Sequence, residues 1–216
     1  MTGANLRALA ALLAYPEAEL VAAVPELRPL FAKDKGVLAL LDELASSPLH
    51  ELQERYVELF DRSRALSLHL FEHVHGESRD RGQAMVDLAQ TYASRGMEAA
   101  GNELPDYLPV FLEFASLLPR EEAAGLLGET ADILRGIGDR LADRGSRYSA
   151  VFAALLAAAG EAGLARPLAK RRTPGEENSP AAIDKAWMDE PVTFMGAAPP
   201  AGGAQPVKFY PKGARP

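Results

Sequence analysis

The sequence contains no cysteine. This absence excludes disulfides, thiolate metal sites, cysteine nucleophiles and cysteine-ligated clusters, and it is typical of proteins in a reducing cytosol. Long apolar runs are also missing: the longest, residues 150–159, has ten residues, whereas a membrane-spanning helix needs about twenty. The first residues lack the charged start, apolar stretch and small-residue cleavage site of a signal peptide. We therefore expect a cytoplasmic protein.

Valine and isoleucine are scarce, which argues against a large parallel sheet. Alanine and leucine dominate instead, with 39 and 31 copies among 216 residues, and both favour helices. Apolar side chains recur at helical spacing, and no stretch shows the period-two alternation of a strand. The apolar stripes cover residues 6–13, 37–45, 52–60, 85–92, 104–118, 126–141 and 148–156. The sequence predicts an all-α, single-domain helical bundle.

Glycine and proline mark where these helices end. Gly96 and Gly145 are predicted to end two of them, because glycine accepts the left-handed conformation that follows a helix. Pro25 and Pro29 are predicted to break what would otherwise be one long helix.

A change in composition near residue 165 divides the chain. Residues 1–165 carry 15 Lys and Arg against 25 Asp and Glu, a balance of −10, whereas residues 166–216 have a balance of +3. The acidic first part disfavours nonspecific nucleic-acid binding and suits a basic or cationic amphipathic partner. The alternative is that it is simply one of many mildly acidic soluble proteins. We expect a helical domain over 1–165, followed by a tail.

The tail, residues 166–216, holds nine of the sixteen prolines and is predicted to be a linker-like segment. It is interrupted at about residues 183–195 by an apolar patch with the only tryptophan. Trp187, Met188 and Phe194 are its docking candidates. One interpretation is that the patch packs on its own bundle. The other is that it docks on a partner or covers a groove.

Three histidines lie within seven residues, at His69, His73 and His75. On a helix His69 and His73 would share a face, with Glu72 and Glu77 near enough to complete a metal site. The alternative is a hydrogen-bonded polar surface without metal. Phosphate-binding glycine loops and nucleophile elbows are absent from the sequence, and no carboxylate pair can be assigned acid and base roles. An enzyme is therefore not expected.

The most polar stretch, residues 67–86, combines the histidines and both charge signs with Phe71 and Met85 around Gly76. Such a mixture is costly to bury and too varied for a plain solvated face, so it indicates a recognition surface. An inter-helix salt-bridge network is the structural alternative.

Three elements resemble a known family. They are Tyr56-Val-Glu-Leu-Phe60-Asp61, the stretch 67–86, and Glu103-Leu-Pro-Asp-Tyr107-Leu-Pro109, in which Tyr107 stands where the wider family often has histidine. Together they resemble the NarJ-type assembly chaperones of respiratory nitrate reductase, also called the delta subunit. These belong to the helical redox-enzyme maturation chaperones that include TorD and DmsD. The resemblance covers roughly residues 10–160, and the segment around Trp187 also looks like this branch.

The resemblance implies a TorD-like helical fold and a client-binding function. Such a protein binds the N-terminal leader-like segment of the nitrate reductase catalytic (alpha) subunit. It keeps that subunit competent for insertion of the molybdenum cofactor and an iron–sulfur cluster before membrane assembly. Both cofactors belong to the client, so none is expected in the chaperone. Molybdenum-cofactor insertion proteins are further candidate partners.

The predicted leader site gathers residues from the three elements. Phe60, Phe71, Met85 and Tyr107 are candidate apolar contacts, although Tyr56 and Phe60 are better suited to the core. Carboxylates would pair with leader Lys or Arg, while Arg79 and Arg81 are suited to steadying the loop. The full set is Tyr56, Phe60, Asp61, His69, Phe71, Glu72, His73, His75, Glu77, Arg79, Arg81, Met85, Glu103, Pro105, Asp106 and Tyr107.

Two other functions compete with this prediction. One is a metal-binding helical protein or metal-dependent enzyme that uses His69, His73 and His75 with a nearby glutamate. The other is a helical scaffold bound through the tail that carries Trp187.

Overall fold

The computed structural model describes residues 1–75, 80–97 and 103–169. These residues form ten α-helices and no strand, which confirms the all-helical prediction. The helices are α1 (Gly3–Leu13), α2 (Ala18–Leu27), α3 (Lys35–Ser46), α4 (Leu49–Tyr56), α5 (Leu70–Val74), α6 (Asp80–Ser94), α7 (Leu108–Leu117), α8 (Arg120–Glu129), α9 (Ala131–Asp143) and α10 (Ser149–Ala159). Between them lie 3₁₀ turns at Arg28–Phe31 and Arg64–Leu66, and a π-helical turn at Val57–Asp61.

Local sequence signals account for several helix ends. Thr2 and Asn5 form a reciprocal capping box at the start of α1, in which each side chain accepts from the other residue's backbone N–H. Asp34 caps α3 by accepting from two backbone N–H groups. Gly96 and Gly145 follow α6 and α9 with φ of 76° and 68°. They end these helices as predicted, because other residues are strained in that conformation.

One hydrophobic core lies among α1, α3, α7, α8, α9 and α10. The axes of α9 and α10 approach closely at Gly138, where a Cβ atom would lie only 2.8 Å from the Cβ of Phe152. Burial of leucine and phenylalanine side chains supplies most of the driving force for such packing. The fully buried core includes Leu9, Leu12, Leu13, Leu40, Leu41, Leu44, Leu108, Leu112, Leu127 and Phe152.

Two details differ from the prediction. Pro25 does not break a helix but lies inside α2, near its C-terminal end. A proline there removes only one hydrogen bond of the last helical turn, and the chain then tightens into the 3₁₀ turn.

Leu104 does not share the face of α7: it lies in the preceding loop and is 44% exposed. The residue before a proline is disfavoured in helical conformation, and α7 begins only at Leu108.

Helix α6 lies outside the main core. Its fifteen residues include one buried side chain, that of Tyr92, whose ring packs on Phe114 of α7 with the centroids 4.5 Å apart. The Tyr92 hydroxyl donates to the carbonyl of Pro105 over 2.8 Å. An exposed ion pair of 2.9 Å joins Arg95, just after α6, to Glu122 of α8. The attachment of α6 therefore depends on a few specific contacts.

The first residues of the predicted tail pack on α9. The backbone N–H and guanidinium of Arg166 bond to Asp139 and Asp143, and the backbone N–H of Ala169 donates to Ala142. Trp187, Met188 and Phe194 lie outside the described residues, so the docking of the tail and the predicted division into 1–165 and 166–216 stay predictions. Within the described part of the chain, no helix is long and apolar enough to cross a membrane.

Candidate functional site

The Tyr56–Asp61 element forms the junction between α4 and the π-helical turn. The backbone N–H of Arg62 donates to the carbonyl of Val57 over 3.2 Å, a bond that spans five residues instead of four. The wider turn directs Tyr56, Leu59 and Phe60 into the core, where they are 4%, 9% and 6% exposed. Asp61 remains exposed. Turns of this kind are rare in proteins, and those that occur often lie at functional sites.

Aromatic rings pack around Phe60. Its ring lies 4.9 Å from that of Tyr56 and 5.2 Å from that of Tyr148, the latter edge to face. Tyr15, directly after α1, meets the Tyr56 ring edge to face at 5.5 Å and is 44% exposed. The cluster therefore runs from the core at Phe60 to the surface at Tyr15.

A chain of hydroxyl groups joins two of the elements that carry the family resemblance. The Tyr56 hydroxyl donates to the carbonyl of Leu13 over 2.8 Å and lies 3.1 Å from the Tyr107 hydroxyl. Because the carbonyl has no proton, Tyr56 must donate to it, and Tyr107 therefore donates to Tyr56. Burial raises the pKa of both phenols, so both stay protonated.

Segment 67–71 and loop 103–108 pair through their backbones. The N–H of Leu108 donates to Leu68, and that of Leu70 donates to Asp106, over 2.8 and 3.0 Å. These bonds flank an isolated antiparallel bridge between His69 and Tyr107. The rings of His69 and Tyr107 lie 5.3 Å apart and 32° from parallel.

Asp106 is the polar centre of this pairing, and its side chain is fully buried. One carboxylate oxygen accepts from the backbone N–H of Phe71 over 3.1 Å, and the other from Nδ1 of His69 over 3.1 Å. The guanidinium of Arg81 lies 4.0 Å from the carboxylate and 3.2 Å from Glu72. Buried charges persist where they are paired and hydrogen-bonded, so Asp106 joins the loop, α5 and α6.

The two histidines of this region differ in protonation. The hydrogen bond to Asp106 raises the pKa of His69, although burial opposes the shift. His73 donates from Nε2 to the carbonyl of Ser67 over 2.8 Å. Burial lowers the pKa of His73, and the positive charge of Arg140 acts in the same direction. Near neutral pH His69 therefore takes up a proton more readily than His73.

A cleft of about 460 Å³ opens beside these residues. It lies between the π-helical turn, the following 3₁₀ turn, α5 and α6. The side chains that line it include an aromatic ring, two hydroxyl groups and charges of both signs. They are Phe60, Asp61, Ser63, Arg64, Ser67, His69, Glu72 and Arg81.

Comparison with known proteins identifies the family. The sequence profile described as "Nitrate reductase delta subunit" matches residues 17–154, a range that contains the described parts of all three elements. The chain belongs to the nitrate reductase delta subunit family.

Relatives of this delta subunit chain are named as assembly chaperones. It is 41% identical over 193 residues to the nitrate reductase molybdenum cofactor assembly chaperone NarJ of Escherichia coli strain K12, covering 85% of this chain and 82% of NarJ. It is 38% identical over 207 residues to the probable chaperone NarW of the same strain, covering 95% and 90%. These names denote chaperones and not catalytic enzymes, as predicted.

A solved structure supports the fold of this delta subunit chain. A candidate redox enzyme maturation protein from Archaeoglobus fulgidus superposes with a TM-score of 0.54 at 19% identity. The match covers 72% of this chain and 91% of that one. The likeness confirms the predicted TorD-like type of helical fold.

The structure of this delta subunit chain brings part of the predicted set of site residues together around Asp106, Tyr107 and the cleft. Phe71, Met85, Pro105 and Tyr107 are half-buried, and Asp61 and Glu103 are exposed. Glu77 and Arg79 lie outside the described residues. The predicted residues that contact the Asp106 or Tyr107 side chain, or line the cleft, are Tyr56, Phe60, Asp61, His69, Phe71, Glu72 and Arg81.

The three histidines have separate partners. His69 bonds to Asp106, His73 to Ser67, and the His75 ring packs on Phe71 at 5.6 Å. His69 precedes α5 rather than lying on it, because its backbone pairs with Tyr107. Within residues 1–75, 80–97 and 103–169, no three His, Asp or Glu side chains are grouped as a metal site requires. No observation in this region favours the metal-binding alternative.

Three residues of this region are absent from the predicted set. Tyr15 precedes Pro16 after α1, Ser67 accepts from His73 through its backbone carbonyl, and Tyr92 donates to Pro105. Ser67 does belong to the stretch 67–86, which the sequence predicts to be a recognition surface, and the signal for Tyr15 is an aromatic residue directly before the proline that follows a helix. Tyr92 has no comparable local signal, because its partner lies 13 positions away.

Proposed function

We propose that this protein is a system-specific chaperone of respiratory nitrate reductase. It binds the N-terminal leader of the catalytic subunit in the cytoplasm and keeps that subunit competent for cofactor insertion before membrane assembly. The observation that carries the proposal is the 3.1 Å contact between Tyr56 and Tyr107, which joins two of the family's elements into one surface. The family and the names of its relatives support the client.

An amphipathic helix is the form of leader that suits this face. Phe71, Met85 and Tyr107 are half-buried and offer apolar area, as an amphipathic helix in a groove requires. Asp61 and Glu103 lie exposed at the rim, where charge governs association rate and specificity. Tyr56, Phe60 and Asp106 are buried and support the surface from below. Glu77 and Arg79, which lie outside the described residues, stay candidates for the site on the sequence alone.

The molybdenum cofactor and iron–sulfur cluster belong to the client in this proposal. A chain without cysteine offers no thiolate for cluster ligation. The chaperone therefore binds the catalytic subunit and releases it later, while the cofactor chemistry takes place within that subunit. Release of the client requires that the detached leader bind only moderately, with a Kd of about micromolar or weaker.

Leader binding should be about two- to fivefold tighter at pH 8 than at pH 6. His69 donates to Asp106 through Nδ1, so Nε2 is the nitrogen that titrates. Its neighbours are the carboxylates of Asp106 and Glu72 and the guanidinium of Arg81, and its pKa is raised. The imidazolium at pH 6 would repel a cationic leader, and that charge is lost as pH rises through the raised pKa. Calorimetric titration with the leader peptide measures the ratio.

His69→Gln should remove this pH dependence. His73→Gln should preserve it, because the pKa of His73 is lowered and that of His69 is raised, so His73 takes up a proton less readily than His69. Equal affinities at pH 6 and pH 8 for the wild-type protein would contradict the role of His69. Absence of binding at both values would contradict the proposed leader site itself.

A further inference from the structure

Within the described residues, the Tyr107 hydroxyl oxygen and the carboxylates of Asp61 and Glu103 are acceptors with no proton left to donate to a ligand. The Tyr107 hydroxyl proton is used toward Tyr56, whose own proton is used toward Leu13. The outward lone pairs of the Tyr107 oxygen therefore remain available only to accept. The negative charges of Glu103 and Asp61 lie near enough to raise the pKa of this phenol. This arrangement favours a ligand group that donates hydrogen bonds and carries positive charge.

The two carboxylates at this surface are unpaired within the described residues, unlike others nearby. Glu72 is paired with Arg81, and Glu43 and Glu51 are both paired with Arg55. Asp61 and Glu103 form no ion pair with any described side chain, and both are exposed. Their charges are thus available to a partner without loss of an ion pair to any residue that the structure describes.

A second aromatic ring, that of Tyr15, packs on Tyr56 next to this surface. Tyr15 is 44% exposed, yet its ring is held edge to face by the buried Tyr56 ring. The following turn is held by Gln53, whose side-chain amide donates to the carbonyl of Pro16 over 3.0 Å. A fixed, half-exposed ring loses little conformational freedom on binding, and the face of an aromatic ring attracts cations.

We propose that Tyr15, Asp61, Glu103 and Tyr107 form a subsite for one lysine or arginine side chain of the client leader. The inference rests on the proposed function and deepens it, since it assigns a chemical class to one leader contact. The ammonium or guanidinium group would lie against the Tyr15 ring and donate to the carboxylates and to the Tyr107 oxygen. Tyr15 is thereby a specificity residue for a basic leader.

The test compares two leader peptides. One has the native sequence of the leader. The other replaces each arginine by citrulline and each lysine by acetyl-lysine, which preserves length and removes charge. Wild-type protein should bind the native peptide about tenfold more tightly than the neutral one, since a cation–π contact and a partly exposed ion pair each contribute about two- to fivefold.

The protein variants locate the effect. Tyr15→Leu and Asp61→Asn should each weaken the native peptide about two- to fivefold and leave the neutral peptide unchanged. Tyr15→Phe keeps the ring and should bind like the wild type. Glu129→Gln, which removes an exposed carboxylate at the end of α8, is the control for general charge effects and should change neither affinity. Because Tyr15 is partly exposed and its replacement keeps an apolar side chain beside Tyr56, Tyr15→Leu should lower the midpoint of thermal unfolding by only about 2 to 4 °C.

The outcomes separate this subsite from the proposed function. Equal affinity of wild-type protein for the two peptides would overturn the subsite while leaving leader binding intact. The subsite is also overturned if Tyr15→Leu weakens both peptides equally, because the ring would then act as an apolar contact. If the native peptide does not bind the wild type, the subsite and the proposed leader site both fail.

Discussion

Replacing Asp106 with alanine should lower the free energy of unfolding by about 2 to 4 kcal/mol. The carboxylate is fully buried and accepts from the backbone of Phe71 and the ring of His69. Its loss leaves the Phe71 N–H without its acceptor and removes the buried negative charge beside the Arg81 guanidinium. Urea unfolding, with the midpoint converted through the slope of the wild type, measures the change.

A second carboxylate provides the control. Asp42 is exposed on α3 and pairs with Arg28 at the surface, so Asp42→Ala should cost less than about 1 kcal/mol. Asp106→Asn keeps an oxygen for the Phe71 N–H and should fall between the two. Equal stability of Asp106→Ala and Asp42→Ala would contradict the assignment of Asp106 as the centre that joins the loop, α5 and α6.

Phe60→Ala should destabilise the protein by about 3 to 5 kcal/mol, because it leaves a cavity among Tyr56, Tyr148 and the π-helical turn. Phe60→Leu should cost about 1 kcal/mol and keep near wild-type leader affinity. This pair of variants separates a core role for Phe60 from the leader contact that its motif also allows. Thermal unfolding and calorimetric titration of the same preparations measure both effects.

Phe71 is the matched comparison at the surface. Its ring is half-buried and packs at the edge of the core, so Phe71→Ala should cost only about 1 to 2 kcal/mol of stability. Leader affinity should fall about tenfold, because apolar contacts at the centre of an interface dominate binding. If Phe60→Leu weakened leader binding more than Phe71→Ala, Phe60 would be a leader contact. The assignment of Phe60 to the core and Phe71 to the binding surface would then be wrong.

The helical fold was largely predictable because its signals are local. Apolar spacing such as that of Leu6, Leu9 and Leu13 shows directly which face of α1 is buried. Gly96 and Gly145 mark helix ends through a conformation that few other residues adopt. Pro25 misled the prediction, because the cost of a proline depends on its position within the helix, which spacing alone does not give.

The candidate site was predictable only as a set of motifs. Tyr56 and Tyr107 are 51 positions apart, and His69 and Asp106 are 37 apart, so no local pattern predicts that they bond. Burial of Asp106 is likewise invisible in a sequence where most aspartates are exposed. The apolar stripe over residues 52–60 correctly predicts that Phe60 is buried, but it does not predict the π-helical turn that adds a residue to the winding of the Tyr56–Asp61 element.

Recognition of the N-terminal leader can be tested on the whole client. The full chain is co-purified with the intact catalytic subunit and with the same subunit lacking its first ~30 residues, a length that forms at least one amphipathic helix. We expect a stable complex with the intact subunit and at least tenfold less recovered complex after truncation. Equal recovery of the two clients, or no complex with the intact one, would show that the leader is not what this chain recognises.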